Sequence, residues 1–402
     1  MTRELYQEHI NEISLNVTSG EIDSIRKKNI TKSGCRVYRD GYIGIAGALG
    51  EPQEADWAQA EQNLSRQIPY PYSPESGKRE HRSLSGSVDP DAFLAQWEAL
   101  LAQLREEFPQ FVLSNKINWT EMVYRLRNDQ GLDYEDRDAI ASISLLFRSQ
   151  DSVNIFDSGL FVVCRELNPQ AFLEDARRRL NAYLHPVSLP EGNKLPVITD
   201  LDLFTRALER DLNGQKLHHG ATLLSGKVGQ KCFSETFTLT VDRSRDALLT
   251  PFFDTEGSVL PGNVLPLIEN GVLCRGYADK KCASEFSVEN TACAGGTYDS
   301  VPELTPPFLA VRPTGKTLAE LLGDRPAVLI DTASGGDTTP DGNFASPVQC
   351  AYLYQSGRLV GRLPEFSVRG SLFDLFGAQY LGCSTDRPFS SSHALVMEME
   401  IT

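Results

Sequence analysis

Apolar and polar residues alternate along much of the first 50 residues. The segment INEISLNVTSGEIDSIRKKN alternates on both sides of Ser19-Gly20, and the segment CRVYRDGYIGIAGALG alternates around Asp40-Gly41. A period of two residues interrupted by a short glycine turn is typical of an antiparallel β-hairpin. The pattern therefore predicts a meander of strands at the N-terminus.

Apolar residues recur at helical spacing in two later segments of the first half. One helix is predicted to be capped by Asp89 and to end at Phe108-Pro109, and a second is predicted from Pro169 to Leu184. The triplet Arg177 to Arg179 lies on or near the open side of the second helix, where basic residues usually face solvent. A shorter polar helix is predicted from Asp56 to Gln67. Because β-rich segments separate these helices, we expect them to cover an antiparallel sheet.

The strongest helix follows Thr199, and its apolar face consists of Leu201, Phe204, Leu208 and Leu212. Thr199 or Asp200 is expected to cap its start, and Gly214 is expected to end it in the left-handed conformation. Strand and turn signals dominate the rest of the chain, with hairpin turns at Asn270-Gly271 and Ser356-Gly357. We therefore predict an α+β protein with two domains. Residues 1–186 form an antiparallel sheet with helices, and residues 187–402 form a large antiparallel sheet or a partly closed barrel.

Composition narrows the class of protein. The chain has 402 residues, of which 41% are hydrophobic, and its 39 basic and 54 acidic residues give a net charge of −15. This charge disfavours nucleic acid and anionic membranes as partners. With no run of about eighteen apolar residues and no export signal, a cytoplasmic protein is expected. Eight cysteines without CxxC spacing indicate reduced thiols, and the irregular spacing of Cys274, Cys282 and Cys293 disfavours a metal site.

Four phrases resemble the TldD/TldE family, in the same order along the chain. They are GCRVYRDGYIGIAG (34–47), HHGATLLSGKVGQKCFSETFTLTVD (218–242), PFFDTEGSVLPGNVLPLIENGVLCRGYADKKCA (251–283) and SGGDTTPDGNFASPVQCAYLYQSGRLVGRLPEFSVRGSLFDLF (334–376). The third phrase is the most specific, because it resembles the family's F-D-x-E-G followed by a leucine-isoleucine-glutamate-asparagine-glycine hairpin. The chain is most similar to the TldE/PmbA type, which carries the label of a DNA gyrase modulator.

The resemblance implies a cytosolic system in which TldD and TldE subunits form a dimeric, hollow metalloprotease that processes peptides. In the catalytic member, H-E-x-x-x-H precedes the glycine-hydroxyl phrase and holds zinc. Counting back from Gly220 places these six positions on Thr205 to Arg210. Threonine is a poor zinc ligand, and the guanidinium groups of Arg206 and Arg210 would repel a dication. The catalytic member's third ligand is a cysteine near the C-terminus, and the phrase around Cys383, LGCSTDRPFSSSH, departs from that pattern.

Two further pairs of residues are candidates. His218 and His219 are expected at a loop or strand start, where adjacent side chains point apart and rarely bind one ion together. Asp254 and Glu256 could form an acid pair or a cation site, but turn hydrogen bonds at a domain junction are the stronger interpretation. The resemblance places their phrase near the active-site cavity. The residues predicted to line a substrate cavity are therefore Thr205, Arg206, Arg210, His218, His219, Asp254 and Glu256, and none is predicted to be catalytic.

These observations predict a metal-free, TldE/PmbA-like subunit that shapes the substrate cavity, with zinc held by a TldD-like partner. The resemblance implies that the chain pairs with such a partner in a heterodimer, or with itself in a homodimer, and that the substrate is an unstructured peptide. One alternative is a stand-alone binding or regulatory protein of the gyrase-modulator type. A third hypothesis is a peptidase with a cysteine nucleophile, for which the sequence offers no base.

Overall fold

A long twisted sheet forms the N-terminal half. The computed structural model describes residues 1–84, 86, 88–333, 336–388 and 392–402. The strand order is β4-β3-β2-β1-β6-β7-β5, with β8 also paired to β7. The strands are β1 (Thr2–Thr18), β2 (Glu21–Arg39), β3 (Tyr42–Leu49), β4 (Ile68–Pro69), β5 (Arg79–Leu84), β6 (Phe111–Asn128), β7 (Asp133–Ser149) and β8 (Ser158–Cys164). The predicted meander is confirmed, since Ser19-Gly20 and Asp40-Gly41 form the two turns with positive φ angles.

Helices cover one face of this sheet. They are α1 (Glu54–Asn63), α2 (Phe93–Glu107) and α3 (Pro169–Tyr183), and a short 3₁₀ helix, Leu64–Arg66, follows α1. Residues directly opposite one another on neighbouring strands share a face, so the cross-strand row Leu15, Ile117 and Ile143 is buried with α2 and α3 in one apolar cluster. Asp89 does not cap α2, because the helix starts at Phe93 and the Asp89 carboxylate instead accepts a hydrogen bond from the Asp91 amide.

The C-terminal half is built around a closed barrel. Strands β16-β9-β22-β20-β18 form it, and it closes because β18 pairs with β16; β9 and β16 run parallel, and the other neighbours are antiparallel. The predicted α+β fold with an antiparallel N-terminal sheet and a C-terminal barrel is therefore confirmed. The strands of this half are β9 (Lys194–Thr199), β10 (Leu239–Asp242), β11 (Val264–Glu269), β12 (Val272–Leu273), β13 (Ala294–Gly295), β14 (Glu303–Leu304), β15 (Leu309–Val311), β16 (Ala327–Ala333), β17 (Asp337–Thr338), β18 (Asn343–Gln355), β19 (Arg358–Arg362), β20 (Phe366–Ser371), β21 (Tyr380–Cys383) and β22 (Leu395–Ile401).

Short helices and small sheets surround the barrel. The sheets are β12-β11-β10-β15 and β13-β14. The helices are α4 (Asp202–Leu212), α5 (Gly214–His218), α6 (Lys280–Phe286), α7 (Leu318–Leu322) and α8 (Leu372–Leu375), with a 3₁₀ turn at Pro261–Asn263. Of the phrases singled out in the sequence, Ser334, Gly335 and residues 389–391 lie outside the described residues.

The two halves share an apolar core. Leu329, Tyr352 and Val396 of the barrel belong to the same buried cluster as α2 and α3. Arg179 on α3 also forms a buried ion pair with Asp331 on β16. This corrects the placement of Arg179 on the open side of its helix, because the barrel packs there and supplies the carboxylate. The boundary at residues 186 and 187 stays a prediction. None of the helices in the described residues is long and apolar enough to cross a membrane.

Candidate functional site

Helix α4 lies against the barrel core. Its apolar face is buried as predicted, and the ring of Phe204 lies between those of Phe344 and Phe376 at centroid distances of 5.0 and 5.1 Å. Of the two predictions about its ends, the one for the start agrees with the structure. The helix starts at Asp202, whose amide donates to the Asp200 carboxylate at 3.1 Å, although the residue directly before the helix is Leu201. The prediction for the other end is wrong. Gly214 does not take a left-handed conformation; it begins α5.

Glycine is needed at position 214 for a steric reason. A Cβ atom there would lie 2.5 Å from the Tyr277 carbonyl oxygen, which accepts a hydrogen bond from the Gly214 amide. This close approach ties the α4-α5 junction to the segment that leads into α6. The Tyr277 hydroxyl adds a second tie by donating to the Glu209 carbonyl at 3.0 Å.

The three family-motif positions on α4 do not form a zinc site. Thr205 donates its hydroxyl hydrogen to the Leu201 carbonyl at 3.0 Å, and Arg210 forms a two-point ion pair with buried Asp211 at 2.7 and 3.1 Å. Arg206 is exposed and makes no hydrogen bond or ion pair with the described residues. Guanidinium groups have no lone pair to give a metal. For this chemical reason Thr205, Arg206 and Arg210 do not fit zinc. Within the described ranges, no group of three His, Cys, Asp or Glu side chains is placed to hold a metal ion.

Cys383 lies two strands from the start of α4. It is opposite Leu395, and Leu395 is opposite Thr199 at the end of β9. Two strand spacings correspond to about 10 Å. Cys383 is buried, and burial raises the pKa of its thiol to about 12. The thiolate needed for a nucleophile or a metal ligand is therefore strongly disfavoured in this environment.

His218 lies at the end of a helix, which corrects its predicted place at a loop or strand start, whereas His219 follows the helix at the start of a loop, as predicted. His218 is the last residue of α5 and stacks on the Phe286 ring at 4.9 Å, while His219 meets the same ring edge-on at 5.1 Å. Successive residues of a helix are turned by about 100°, so neighbouring side chains can flank one ring instead of pointing to opposite sides. His219 Nε2 is 3.9 Å from a carboxylate oxygen of Glu285.

Asp254 fixes the turn of its own phrase. Its Oδ1 accepts hydrogen bonds from the amides of Glu256 and Ser258 at 2.9 and 2.8 Å, and its Oδ2 accepts from the amide of Ala294 at 3.0 Å. Burial raises the pKa of this carboxyl, while Arg243 and the amide hydrogen bonds act in the opposite direction. The interpretation as a turn acceptor at a junction agrees with these contacts.

Glu256 joins the two halves of the protein. Its Oε1 accepts a hydrogen bond from the hydroxyl of Tyr70 at 2.5 Å, and its Oε2 accepts from the Lys280 amide at the start of α6 at 2.9 Å. Its side chain is buried. Burial, together with the negative charge of Asp254, raises its pKa to about 7. A carboxyl group with this pKa exchanges its proton near neutral pH.

Two other charged residues complete this junction. Arg36 is 1% exposed, donates to the Thr255 carbonyl at 2.5 Å and lies over the Tyr6 ring at 5.0 Å. Lys280 Nζ bridges to Glu75 at 3.2 Å. Sequence reasoning missed Arg36, Tyr70 and Lys280. The signal for Arg36 was available, since it is a charged residue between the apolar residues Cys35 and Val37 in a predicted strand.

Helix α6 connects the candidate residues. Its first residue binds Glu256 through the main chain, and its last, Phe286, contacts both histidines. Seven residues of helix span about 10 Å. The structure thus brings Glu256, His218 and His219 to the two ends of one short helix, whereas Arg206 remains on the exposed side of α4.

A separate groove of about 1000 Å³ lies between the loop before β8 and the segment that links the two halves. Its lining includes Ile155, Phe156, Val187 and Leu363, and Arg362 lies 4.2 Å over the Tyr183 ring at its side. None of the predicted cavity residues lines this groove.

Comparison with known proteins assigns this chain to a family. The structure that this family assignment has to match is a barrel joined to a long antiparallel sheet, with α4 against the barrel. Residues 193–402 match the family profile described as the PmbA/TldA metallopeptidase C-terminal domain. The chain belongs to this PmbA/TldD family.

The sequence is similar to two archaeal proteins over most of its length. An uncharacterised protein of Methanocaldococcus jannaschii is 25% identical over 382 residues, which cover 91% of this chain and 87% of that protein. A protein of Archaeoglobus fulgidus named metalloprotease is 23% identical over 383 residues, covering 90% and 87%.

Solved structures show the same fold. TldE from Thermococcus kodakarensis has a TM-score of 0.81 at 21% identity, covering 100% of this chain and 96% of that chain. A candidate modulator of a DNA gyrase from Thermotoga maritima has a TM-score of 0.79 at 18% identity, again covering 100% and 96%.

Proposed function

We propose that this chain is a metal-free, TldE-type subunit of a metalloprotease system and that it shapes the cavity in which an unstructured peptide is held. The observation that carries the proposal is which residues stand on α4 at the positions of the zinc motif. Thr205 and Arg210 already have partners within the protein, and Arg206 presents a cation where a zinc site would need a lone pair. Hydrolysis is therefore assigned to another subunit.

The names of similar proteins support the proposal of a metalloprotease system. The Archaeoglobus fulgidus relative is named a metalloprotease, and one structure with the same fold is named TldE. Under the proposal, a TldD-type partner supplies zinc and the water-activating base, in a heterodimer with this chain. A homodimer of this chain would have no zinc site and is proposed as an inactive form.

Three exposed candidate residues, Arg206, His218 and His219, have side chains that suit a peptide. The guanidinium of Arg206 acts on the Glu209 carboxyl through its charge but forms no hydrogen bond or close ion pair in the described structure, so it can donate to a carboxylate or carbonyl group of a bound chain. The exposed histidines flanking Phe286 offer ring contacts to an unfolded side chain. An extended peptide would gain further affinity by main-chain hydrogen bonds to a strand edge, which favours unstructured over folded substrates.

Metal content and cleavage test the proposal together. The purified chain is expected to retain no stoichiometric zinc by inductively coupled plasma mass spectrometry and to leave an unfolded peptide intact. Addition of a TldD-type subunit carrying H-E-x-x-x-H is expected to give zinc-dependent cleavage, and Arg206→Ala is expected to raise KM more than it lowers kcat. Arg66→Ala, at the exposed end of the 3₁₀ helix that follows α1, is the matched arginine control. Retention of zinc by this chain alone, with cleavage abolished by a chelator, would overturn the proposal.

A second candidate is a stand-alone binding or regulatory protein, which the names of similar structures favour. The Thermotoga maritima protein is described as a candidate gyrase modulator. If that function applied here, the chain would form a stable complex with a topoisomerase subunit in the absence of a TldD-type protein. Size-exclusion chromatography of the purified components distinguishes the two.

The surroundings of Cys383 and five other cysteines do not support the cysteine-nucleophile hypothesis. Burial raises the pKa of Cys35, Cys164 and Cys282 to about 11, and it raises the pKa of Cys293 and Cys350 to about 12. A nucleophilic cysteine needs the opposite shift, toward a thiolate at neutral pH.

A further inference from the structure

Strand β2 has an uncovered edge. Strand β3 pairs with β2 only from Lys32 to Arg39, whereas β1 pairs with its other edge along its length. Within the described residues, no strand covers the segment from Glu21 to Ile30 on the β3 side. The side chains of Ile25 and Ile30 are 46% and 38% exposed, so the described part of this chain leaves them open to solvent.

The direction of the main-chain groups follows from one hydrogen bond. The Thr31 carbonyl accepts from the Gly50 amide at 2.8 Å and therefore points to the β3 side. Main-chain groups alternate in direction along an antiparallel strand. Asn29, Lys27 and Ile25 consequently point the same way as Thr31, and they present three amide donors and three carbonyl acceptors at the uncovered edge.

Three consecutive basic residues lie on this edge. Arg26 and Lys28 project from one face of the sheet and Lys27 from the other, because successive side chains alternate. The cross-strand neighbours on β1 are Ser14, Ile13 and Glu12, so only Lys28 has an acidic residue opposite it. The triplet itself carries a charge of +3 on a chain with a net charge of −15.

A second copy of this chain is disfavoured where it would pair through the basic triplet. A two-fold pairing centred on any one of the three basic residues places that side chain directly opposite itself. Like charges in this position are destabilising. The register between β1 and β2 also shifts near Asp23, which limits regular pairing to the segment from Ser24 onward.

We propose that the segment Ser24–Ile30 of β2 binds an extended acidic segment of a partner polypeptide by strand addition. Main-chain groups of Ile25, Lys27 and Asn29 form the ladder. Acidic side chains of the added strand pair with Arg26 and Lys28 on one face, while an apolar side chain on the other face contacts Ile25. The surface belongs to the N-terminal sheet, so the inference does not depend on the proposed zinc-free role of α4.

The probe is the fluorescein-labelled peptide Val-Glu-Val-Glu-Val-Glu-Val, and binding is measured by fluorescence anisotropy at low salt. The same peptide with lysine in place of glutamate, and a version N-methylated at every second residue, are the comparison peptides. The glutamate peptide is expected to bind, and both comparison peptides are expected to bind at least tenfold more weakly. Equal binding of the N-methylated peptide would overturn strand addition.

Variants locate the surface. The double variant Arg26→Glu/Lys28→Glu is expected to weaken binding of the glutamate peptide roughly tenfold, by reversing two cross-strand pairs. Lys231→Glu/Lys316→Glu makes the same change in net charge on the C-terminal half and is expected to leave binding unchanged. Circular dichroism checks that both variants fold. An equal loss in the two variants, or a dimer joined through β2 that excludes the peptide, would overturn the proposal.

Discussion

Replacement of Glu256 with glutamine should remove a pH dependence from the stability of the protein. Glu256 is buried between Tyr70 and Lys280, and its carboxylate oxygens accept one hydrogen bond from each. Glutamine preserves both contacts, because its oxygen can accept from the Lys280 amide while its NH₂ group donates to the Tyr70 hydroxyl oxygen. The substitution therefore changes the charge and leaves the geometry in place.

The magnitude follows from the pKa. The carboxyl pKa of Glu256 rises from 4.5 to about 7, first through burial and then through the charge of Asp254. The folded protein therefore binds more protons than the unfolded chain between these two values, and the free energy of unfolding falls as pH rises through this window. A tenfold change in proton affinity corresponds to roughly 1.4 kcal/mol, so the stability lost from this group across the window is about 3 kcal/mol.

Urea denaturation at pH 4.5, 6 and 8 measures the effect. We expect the difference in unfolding free energy between Glu256→Gln and the wild type to move in favour of the variant by about 3 kcal/mol from pH 4.5 to 8. Glu106→Gln, on the exposed side of α2, is the matched control and should track the wild type at every pH. If the unfolding free energy of Glu256→Gln fell with pH as steeply as that of the wild type, the charge of the Glu256 carboxylate would not be the cause of the pH dependence.

Two further substitutions and one labelling reaction test the packing. Arg82→Ala leaves buried Asp136 without the guanidinium that lies 2.7 Å from it, so a loss of about 3–5 kcal/mol is expected in urea denaturation; an unchanged midpoint would contradict the pairing. Phe204→Ala removes the ring between two aromatic neighbours and should cost about 3–5 kcal/mol, and a loss below about 1 kcal/mol would show that α4 packs loosely. Cys383 should resist iodoacetamide at pH 7 in the native protein and react in urea, and rapid native labelling by mass spectrometry would contradict its buried, raised-pKa state.

The fold was predictable where apolar residues recurred at one regular spacing over a whole element. The hairpins around Ser19-Gly20 and Asp40-Gly41 and the buried face of α4 follow directly from such patterns. Local signals were weaker at element ends, since Gly214 suggested a left-handed helix end. Its actual role depends on the Tyr277 carbonyl, 63 positions away in sequence, and no local pattern reports such an approach.

Buried charges were the main source of error. Arg179 sits in a triplet that looks like a solvated helix face, yet it pairs with Asp331 from a strand of the other half. Arg36 is buried by contacts with Thr255 and Tyr6. A long basic side chain becomes buried only when a distant segment supplies its acceptors, so single-sequence patterns assign it to the surface by default.

The junction around Glu256 connects helix α4 to the N-terminal half of the protein. Helix α4 is tied through the Tyr277 main chain to the segment that leads to α6, and α6 donates its first amide to Glu256, which in turn binds Tyr70 of the N-terminal half. Hydrogen bonds, together with the main chain from Tyr277 to Lys280, thus connect the proposed peptide-facing helix to the sheet of the other half. Removal of the Glu256 proton near neutral pH adds a buried charge in the middle of that connection. If peptide binding at α4 changes the contact between the Lys280 amide and Glu256, the pKa of Glu256 shifts, and by linkage peptide affinity then depends on pH around 7.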